Sequence, residues 1–320
     1  MLSESERDMA GERGGAGSAW RALGVLGRDI KLSHSVFAMP FALLGAFLAA
    51  GGAPRWGELG LIVACMFFAR TFAMLANRYV DRALDAVNPR TAGRALPRGA
   101  VGAGTVRAAM ALSGAGLAGG AAGFGLAYGN WWPVAGSPVV LAWLGGYGLA
   151  KRYTSGAHFV LGGALALSPL AAAAAVEPAY LGEGSAWLLA GFVLLWVAGF
   201  DVIYAIQDID VDRAQGLRSI PARLGERGAL LAAKGCHFGA LGLLVAVYRT
   251  TPPLGAGTVG LGEGTSWFLL ALVVVGLLLM AEHNAASRGR FTMAFFTLNG
   301  VIGVVVGAAG IADVMLAGRG

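Results

Sequence analysis

Charge is what this chain has least of. Only 13% of its 320 residues are Asp, Glu, Lys or Arg, and 57% are hydrophobic. Soluble domains carry about 25% charged residues, so an ordinary water-soluble globule is excluded. Cysteine is almost missing too: Cys65 and Cys236 both lie in apolar surroundings, which argues against a disulfide framework or a cysteine-based metal site. The four histidines, His34, His158, His237 and His283, show no His-x-x-x-His spacing. For each, a structural or interfacial role is expected before metal ligation. No stretch alternates polar and apolar residues as a strand would. Residues 1–18 hold Glu4, Glu6, Asp8 and Glu12 among many Gly and Ser. They lack the basic start and apolar centre of a cleavable signal peptide and read as a disordered tail.

What is abundant is apolar length. A spanning helix needs about 20 mostly apolar residues. Nine candidate runs occur, near 33–52, 57–84, 102–127, 132–150, 157–176, 186–211, 227–248, 265–283 and 291–316. Residues 20–31 read as a short interfacial helix with Trp20, Leu23 and Leu26 along one side. No long linker divides the runs, so residues 19–320 form one transmembrane domain, an all-α integral membrane bundle of nine helices. The 52 glycines fit close helix packing in lipid. A pI near 9.7 would point to nucleic acid in a soluble protein. Here the basic residues cluster between apolar runs and read as topology signals and anion ligands, with no nucleic-acid partner. Twenty of the 24 Lys and Arg fall in the N-terminal segment and around the loops after spans two, four, six and eight. By the positive-inside rule that side is cytoplasmic.

Two charged stretches break the apolar pattern. Asn77-Arg78-Tyr79-Val80-Asp81-Arg82-Ala83-Leu84-Asp85 closes the second run. Asp201-Val202-Ile203-Tyr204-Ala205-Ile206-Gln207-Asp208-Ile209-Asp210-Val211-Asp212 closes the sixth. On a helix Asn77, Asp81 and Asp85 share one face, with Arg70 two turns earlier; Asp201, Tyr204, Asp208 and Asp212 share another. Asp210 points elsewhere and reads as solvated. Each stretch runs on into a basic loop punctuated by Pro and Gly, a weak internal repeat. Carboxylates gathered in one cavity raise each other's pKa unless a cation intervenes. An all-oxygen donor set without His or Cys favours a hard ion such as Mg2+, which also binds phosphate. Arg90, Arg94, Arg98, Arg218 and Arg223, with Lys151-Arg152, could clamp a diphosphate.

Simpler readings stand beside these. Loop arginines and Lys151-Arg152 also serve as topology signals, and Tyr204 as an interfacial aromatic. Intramembrane carboxylates and an in-span arginine are harder to dismiss, because an unpaired charge there costs about 2.5–3.5 kcal/mol on insertion scales. Arg70 therefore needs a partner, either a span-six carboxylate such as Asp201 or the acid group of a bound aromatic. A transporter with midplane carboxylates is the competing class. It predicts motifs at span centres or helix breaks, whereas both motifs here close their spans.

Together Asn77-x-x-x-Asp81-x-x-x-Asp85, Asp208-x-x-x-Asp212, Lys151-Arg152-Tyr153-Thr154 and nine spans resemble the UbiA superfamily of intramembrane prenyltransferases. The segment Lys31-Leu32-Ser33-His34-Ser35-Val36-Phe37-Ala38-Met39-Pro40-Phe41 is similar to the first span of its 4-hydroxybenzoate polyprenyltransferases. The resemblance implies a multi-pass protein of the bacterial inner membrane, with a central cavity open to lipid and its active site on the cytoplasmic side. It implies Mg2+ held by Asn77, Asp81, Asp85, Asp208 and Asp212, with Asp81 and Asp208 as catalytic residues. Polyprenyl diphosphate would be held by Arg90, Arg94, Lys151, Arg152 and Arg218. A small aromatic acid would be prenylated in quinone biosynthesis; from their place on the two faces, not from the resemblance, Arg70, Asp201 and Tyr204 are expected to bind it. Many members have an acidic residue where Arg78 follows Asn77. This variant resembles a branch that includes menaquinone-pathway enzymes, so a dihydroxynaphthoate or a tetrapyrrole remains open as acceptor.

Overall fold

The computed structural model describes residues 37–255 and 266–318, together with 24, 25 and 27. Every regular element among them is helical, as lipid requires, since a helix satisfies its backbone groups within its own segment. Nine helices carry the fold: α1 Met39–Ala50, α2 Trp56–Val87, α3 Ala103–Tyr128, α4 Trp132–Gly146, α5 Ala157–Val176, α6 Gly184–Ala205, α7 Ile220–Thr250, α8 Trp267–Ser287 and α9 Asn299–Ala317. Among the described residues, eight helical stretches are long and apolar enough to cross a bilayer. The exception is α1, with 12 described residues. Most of the expected interfacial helix, and the segment before Phe37, lie outside the described residues.

Helix ends follow local chemistry. Gly51 and Gly129 take left-handed conformations, φ 61° and 70°, and turn their N–H groups back onto α1 and α3, a geometry a Cβ would oppose. Pro40, Pro133 and Pro221 sit in first turns, where a missing N–H leaves no bond unmade.

The bundle is organised around α6. Its apolar window is 67% buried, more than any other span, and it packs between α5 and α7. Phe41, Phe192, Trp196 and Phe200 form its aromatic core, with Phe192 stacked on Trp196 and Phe200 edge-on to it. Lipid removes most of the hydrophobic drive between helices, so close backbone approach must supply the attraction. Gly162 of α5 provides it, because a Cβ there would collide with the Leu194 carbonyl of α6.

Polar groups also tie the helices. Trp196 Nε1 donates to Asn299 Oδ1 at 2.6 Å, and Asn299 Nδ2 donates to Glu282 Oε1 at 2.9 Å. His237 and His283 meet at 3.0 Å, and His237 Nε2 reaches the Trp196 carbonyl at 3.3 Å. Two of the four histidines thus join α6, α7 and α8, a pairing hidden by their distance in sequence, and Asn299 adds α9. By contrast, α2 and α6 are not among the closely packed helix pairs. Their acidic ends are linked through the first basic loop, whose Asn88 and Arg90 bind Asp208.

Candidate active site

α2 runs unbroken to Val87, so Asn77, Asp81 and Asp85 keep the common face their spacing predicts. Asn77 Nδ2 donates to Asp81 Oδ2 at 3.2 Å, and both aspartates are buried. Each meets a cation from a neighbouring loop. Lys151 Nζ lies 3.0 Å from Asp81 Oδ2, and Arg152 Nη2 lies 3.5 Å from Oδ1 while donating to the Val80 carbonyl. Arg94 Nη1 is 2.6 Å from both oxygens of Asp85. Lys151 and Arg152 ride on a short helix, Ala150–Tyr153, re-aimed by the 3-10 turn Tyr147–Leu149 that ends span four.

The second motif departs from expectation. α6 stops at Ala205, a 3-10 turn covers Ile206–Asp208, and a short helix resumes over Ile209–Ala214. The tighter turn advances more than 100° per residue, so Asp208 and Asp212 do not continue the straight face of Asp201 and Tyr204. Asp208 faces the first basic loop instead. Arg90 grips it through Nε at 3.0 Å and through Nη2, and Asn88 Nδ2 adds a bond of 3.1 Å. Arg90 also donates to the Tyr204 hydroxyl at 3.0 Å and lies over that ring. Burial works against the Arg90 charge, but its hydrogen bond and charge contact with Asp208 hold the guanidinium above its ordinary value. Asp212 is buried against Ser219, whose hydroxyl donates to Oδ2 at 2.7 Å and also caps α7. The returning loop is docked by Arg218 N–H on the Lys151 carbonyl at 2.7 Å.

Two further placements bear on the expected site. Arg218 turns its guanidinium to the Tyr153 carbonyl, 2.9 Å away, and lines a cleft of about 550 Å³ with Arg213 and Arg223. No Arg70–Asp201 ion pair forms among the described residues. Asp201 Oδ2 is bonded to His158 Nδ1 at 2.7 Å, while Arg70 Nε is buried without a hydrogen-bond partner. Equal spacing before the two motifs suggested the pair, but α2 and α6 are not packed side by side. Tyr147 packs beside this part of α2, its hydroxyl donating to the Ala73 carbonyl at 3.5 Å. His158, Asn88, Ser219 and Tyr147 are absent from the sequence-based set. Asn88 and Ser219 had a local signal, as turn and cap residues beside the motifs; His158 and Tyr147 had none.

The donor set suits a hard divalent ion: it is all oxygen, and the buried Asp81 Oδ1 has no hydrogen-bond partner. Asp85 and Asp208 are bound by arginines, and among the described residues no three carboxylates or histidines stand close enough to form a metal site by themselves. The helix break at Asp208 is one feature a transporter would share. It lies at the end of its span, however, and continues into the docked basic loop.

Comparison with known proteins decides the class. Residues 38–301 match the UbiA prenyltransferase family. The 4-hydroxybenzoate octaprenyltransferase of Pectobacterium atrosepticum is 30% identical over 283 residues, covering 87% of this chain and 91% of that one. A UbiA homolog from Aeropyrum pernix, solved in the apo state, superposes with a TM-score of 0.76 and 33% identity over 88% of this chain and 98% of that one. A UbiA homolog from Archaeoglobus fulgidus bound to GPP and Mg2+ shares the fold, with a TM-score of 0.61 and 14% identity over 91% and 99% of the two chains. The chain spanning the membrane through α2–α9, with acidic motifs closing α2 and α6, therefore belongs to the UbiA family and is a prenyltransferase.

Proposed function

We propose that this enzyme transfers a polyprenyl group from polyprenyl diphosphate to an aromatic acid of the 4-hydroxybenzoate type. The observation that carries the reading is the convergence of two acidic helix ends with basic loops, beside an in-span Arg70 whose Nε lacks a partner. The naming of the curated relatives supports the acceptor class.

Asn77, Asp81, Asp85, Asp208 and Asp212 would hold Mg2+, which supplies charge stabilisation at a departing diphosphate when bound. Arg90, Arg94, Lys151, Arg152 and Arg218 hold the same diphosphate by charge-assisted hydrogen bonds. As the allylic C–O bond breaks, its electron pair leaves with the diphosphate, and these cations stabilise the growing negative charge. The ring carbon ortho to the acceptor's hydroxyl then attacks the allylic carbon, a C–C bond forms, and the ring passes a proton to the released diphosphate to regain aromaticity. Arg70 pairs with the acceptor's carboxylate. Asp201 accepts from its phenol hydroxyl, which raises electron density at the ortho carbon. Tyr204, held by Arg90, closes the space between donor and acceptor. The apolar bundle houses the isoprenoid tail.

The test incubates membranes containing the enzyme with labelled polyprenyl diphosphate, Mg2+ and separate acceptors, and identifies the products. Prenylated 4-hydroxybenzoate is expected. Transfer to a dihydroxynaphthoate with none to 4-hydroxybenzoate would move the enzyme to menaquinone biosynthesis. Transfer only to an arene without an acid group would remove the role given to Arg70.

A further inference from the structure

One buried histidine has no part in the chemistry above. His158 stands at the start of α5, 4% exposed, with both ring nitrogens engaged. The Ile220 N–H donates to Nε2 at 3.4 Å. An amide can only donate here, so Nε2 is bare and the ring proton sits on Nδ1. Nδ1–H therefore donates to Asp201 Oδ2 at 2.7 Å. Three helices meet at this one ring: α5 contributes the imidazole, α6 the carboxylate and α7 the amide. Ile220 directly follows Ser219, which holds Asp212, and Arg218, whose N–H is bonded to the Lys151 carbonyl. The ring thus ties Asp201 to the docked loop that carries the second motif back into the bundle.

We infer that His158 is a positioning residue for the prenyl acceptor. By binding one oxygen of Asp201 it leaves the other to receive the acceptor hydroxyl, and it keeps that oxygen in register with the docked loop. This rests on the role given to Asp201 under Proposed function. A partly buried carboxylate has several rotamers, and ordering it in advance removes a cost otherwise met when the acceptor binds. Without His158 the acceptor binds less well, while the diphosphate, held by other residues, is unaffected.

Three variants test this: His158→Ala, His158→Asn, whose Nδ2 can replace Nδ1 as donor, and Asp201→Asn. The assay uses whichever acceptor the wild-type enzyme prenylates. His158→Ala is expected to raise the acceptor KM about tenfold with little change in the polyprenyl diphosphate KM. His158→Asn should recover most of that loss, and His158→Ala should add nothing in the Asp201→Asn background. An equal loss for both substrates, no recovery with Asn, or additive losses would overturn the inference. A readout free of turnover is the 15N-histidine spectrum of the full chain in detergent. The His158 Nδ1–H resonance should move in Asp201→Asn, and an unmoved resonance overturns the coupling even if no aromatic acid proves to be a substrate. Failure of wild-type transfer to any aromatic acid instead refutes the proposed function.

Discussion

Arg70 shows how much one side chain can say in a lipid-embedded protein. A guanidinium whose Nε is buried in α2 without a hydrogen-bond partner is costly at that depth, and a ligand's acid group would offset the cost. Arg70→Gln is therefore expected to raise the acceptor KM about tenfold while leaving diphosphate affinity unchanged. Steady-state kinetics with each substrate varied in turn would reveal the opposite pattern, which would move the acceptor elsewhere. The aspartates carry a different expectation. Asp81→Asn and Asp208→Asn keep the side-chain shape but turn one accepting oxygen into a donor and lose the charge that faces Lys151 and Arg90. Turnover should fall by several orders of magnitude, since a lost contact to a charge-stabilising ion costs several kcal/mol. Unchanged detergent-extracted yield and monodispersity would show that the fold survives; normal rates in either variant would refute the assignment.

At the scale of elements, the two motif helices differ in how legible they were. α2 has an uninterrupted helical period, so the face of Asn77, Asp81 and Asp85 followed from spacing. The break at Ile206–Asp208 has no Gly or Pro to announce it, and residues 205–207 are compatible with continued helix. Only the tertiary pull of Asn88 and Arg90 on Asp208 is visible as a counterweight. The return loop depends on Ser219, which caps α7 and holds Asp212 together. Ser219→Ala should cost about 1 kcal/mol as a lost cap and raise the polyprenyl diphosphate KM through a loosened Asp212. A thermal shift without any kinetic change would reduce Ser219 to a cap alone. Gly162 tests the packing of α5 on α6. Gly162→Leu forces the helices apart where the Leu194 backbone cannot yield. An overpacking cost of about 1–3 kcal/mol should appear as a lower Tm in detergent, and an unchanged Tm would show that the approach is not tight.

For the whole molecule, the distribution of basic residues predicts that both motif loops face the cytoplasm. In a background with Cys65 and Cys236 replaced by serine, Arg94→Cys and Arg218→Cys should react with an impermeant maleimide only after the cells are opened. Ready labelling of both from outside would invert the topology and place diphosphate chemistry on the far side. The same scale separates enzyme from transporter: acidic motifs end their spans and pass into basic loops, which suits a diphosphate arriving from the aqueous side.

The amino-acid sequence alone determined the membrane class, the near positions of the spans, and the two acidic stretches. Each depends on properties local in the chain: apolar length set by bilayer thickness, and side chains at helical repeat. The family followed from the same residues. Which cation meets which carboxylate was decided only in three dimensions. Arg90 reaches Asp208 and Lys151 reaches Asp81 across long stretches of chain, and Arg218 turns to a carbonyl instead. His158 read only as a structural or interfacial histidine until α5, α6 and α7 packed around it. Electrostatic and hydrogen-bonded partners are chosen by distance and direction in space. Those depend on packing, on the break in α6 and on the docking of two loops, none of which local spacing encodes.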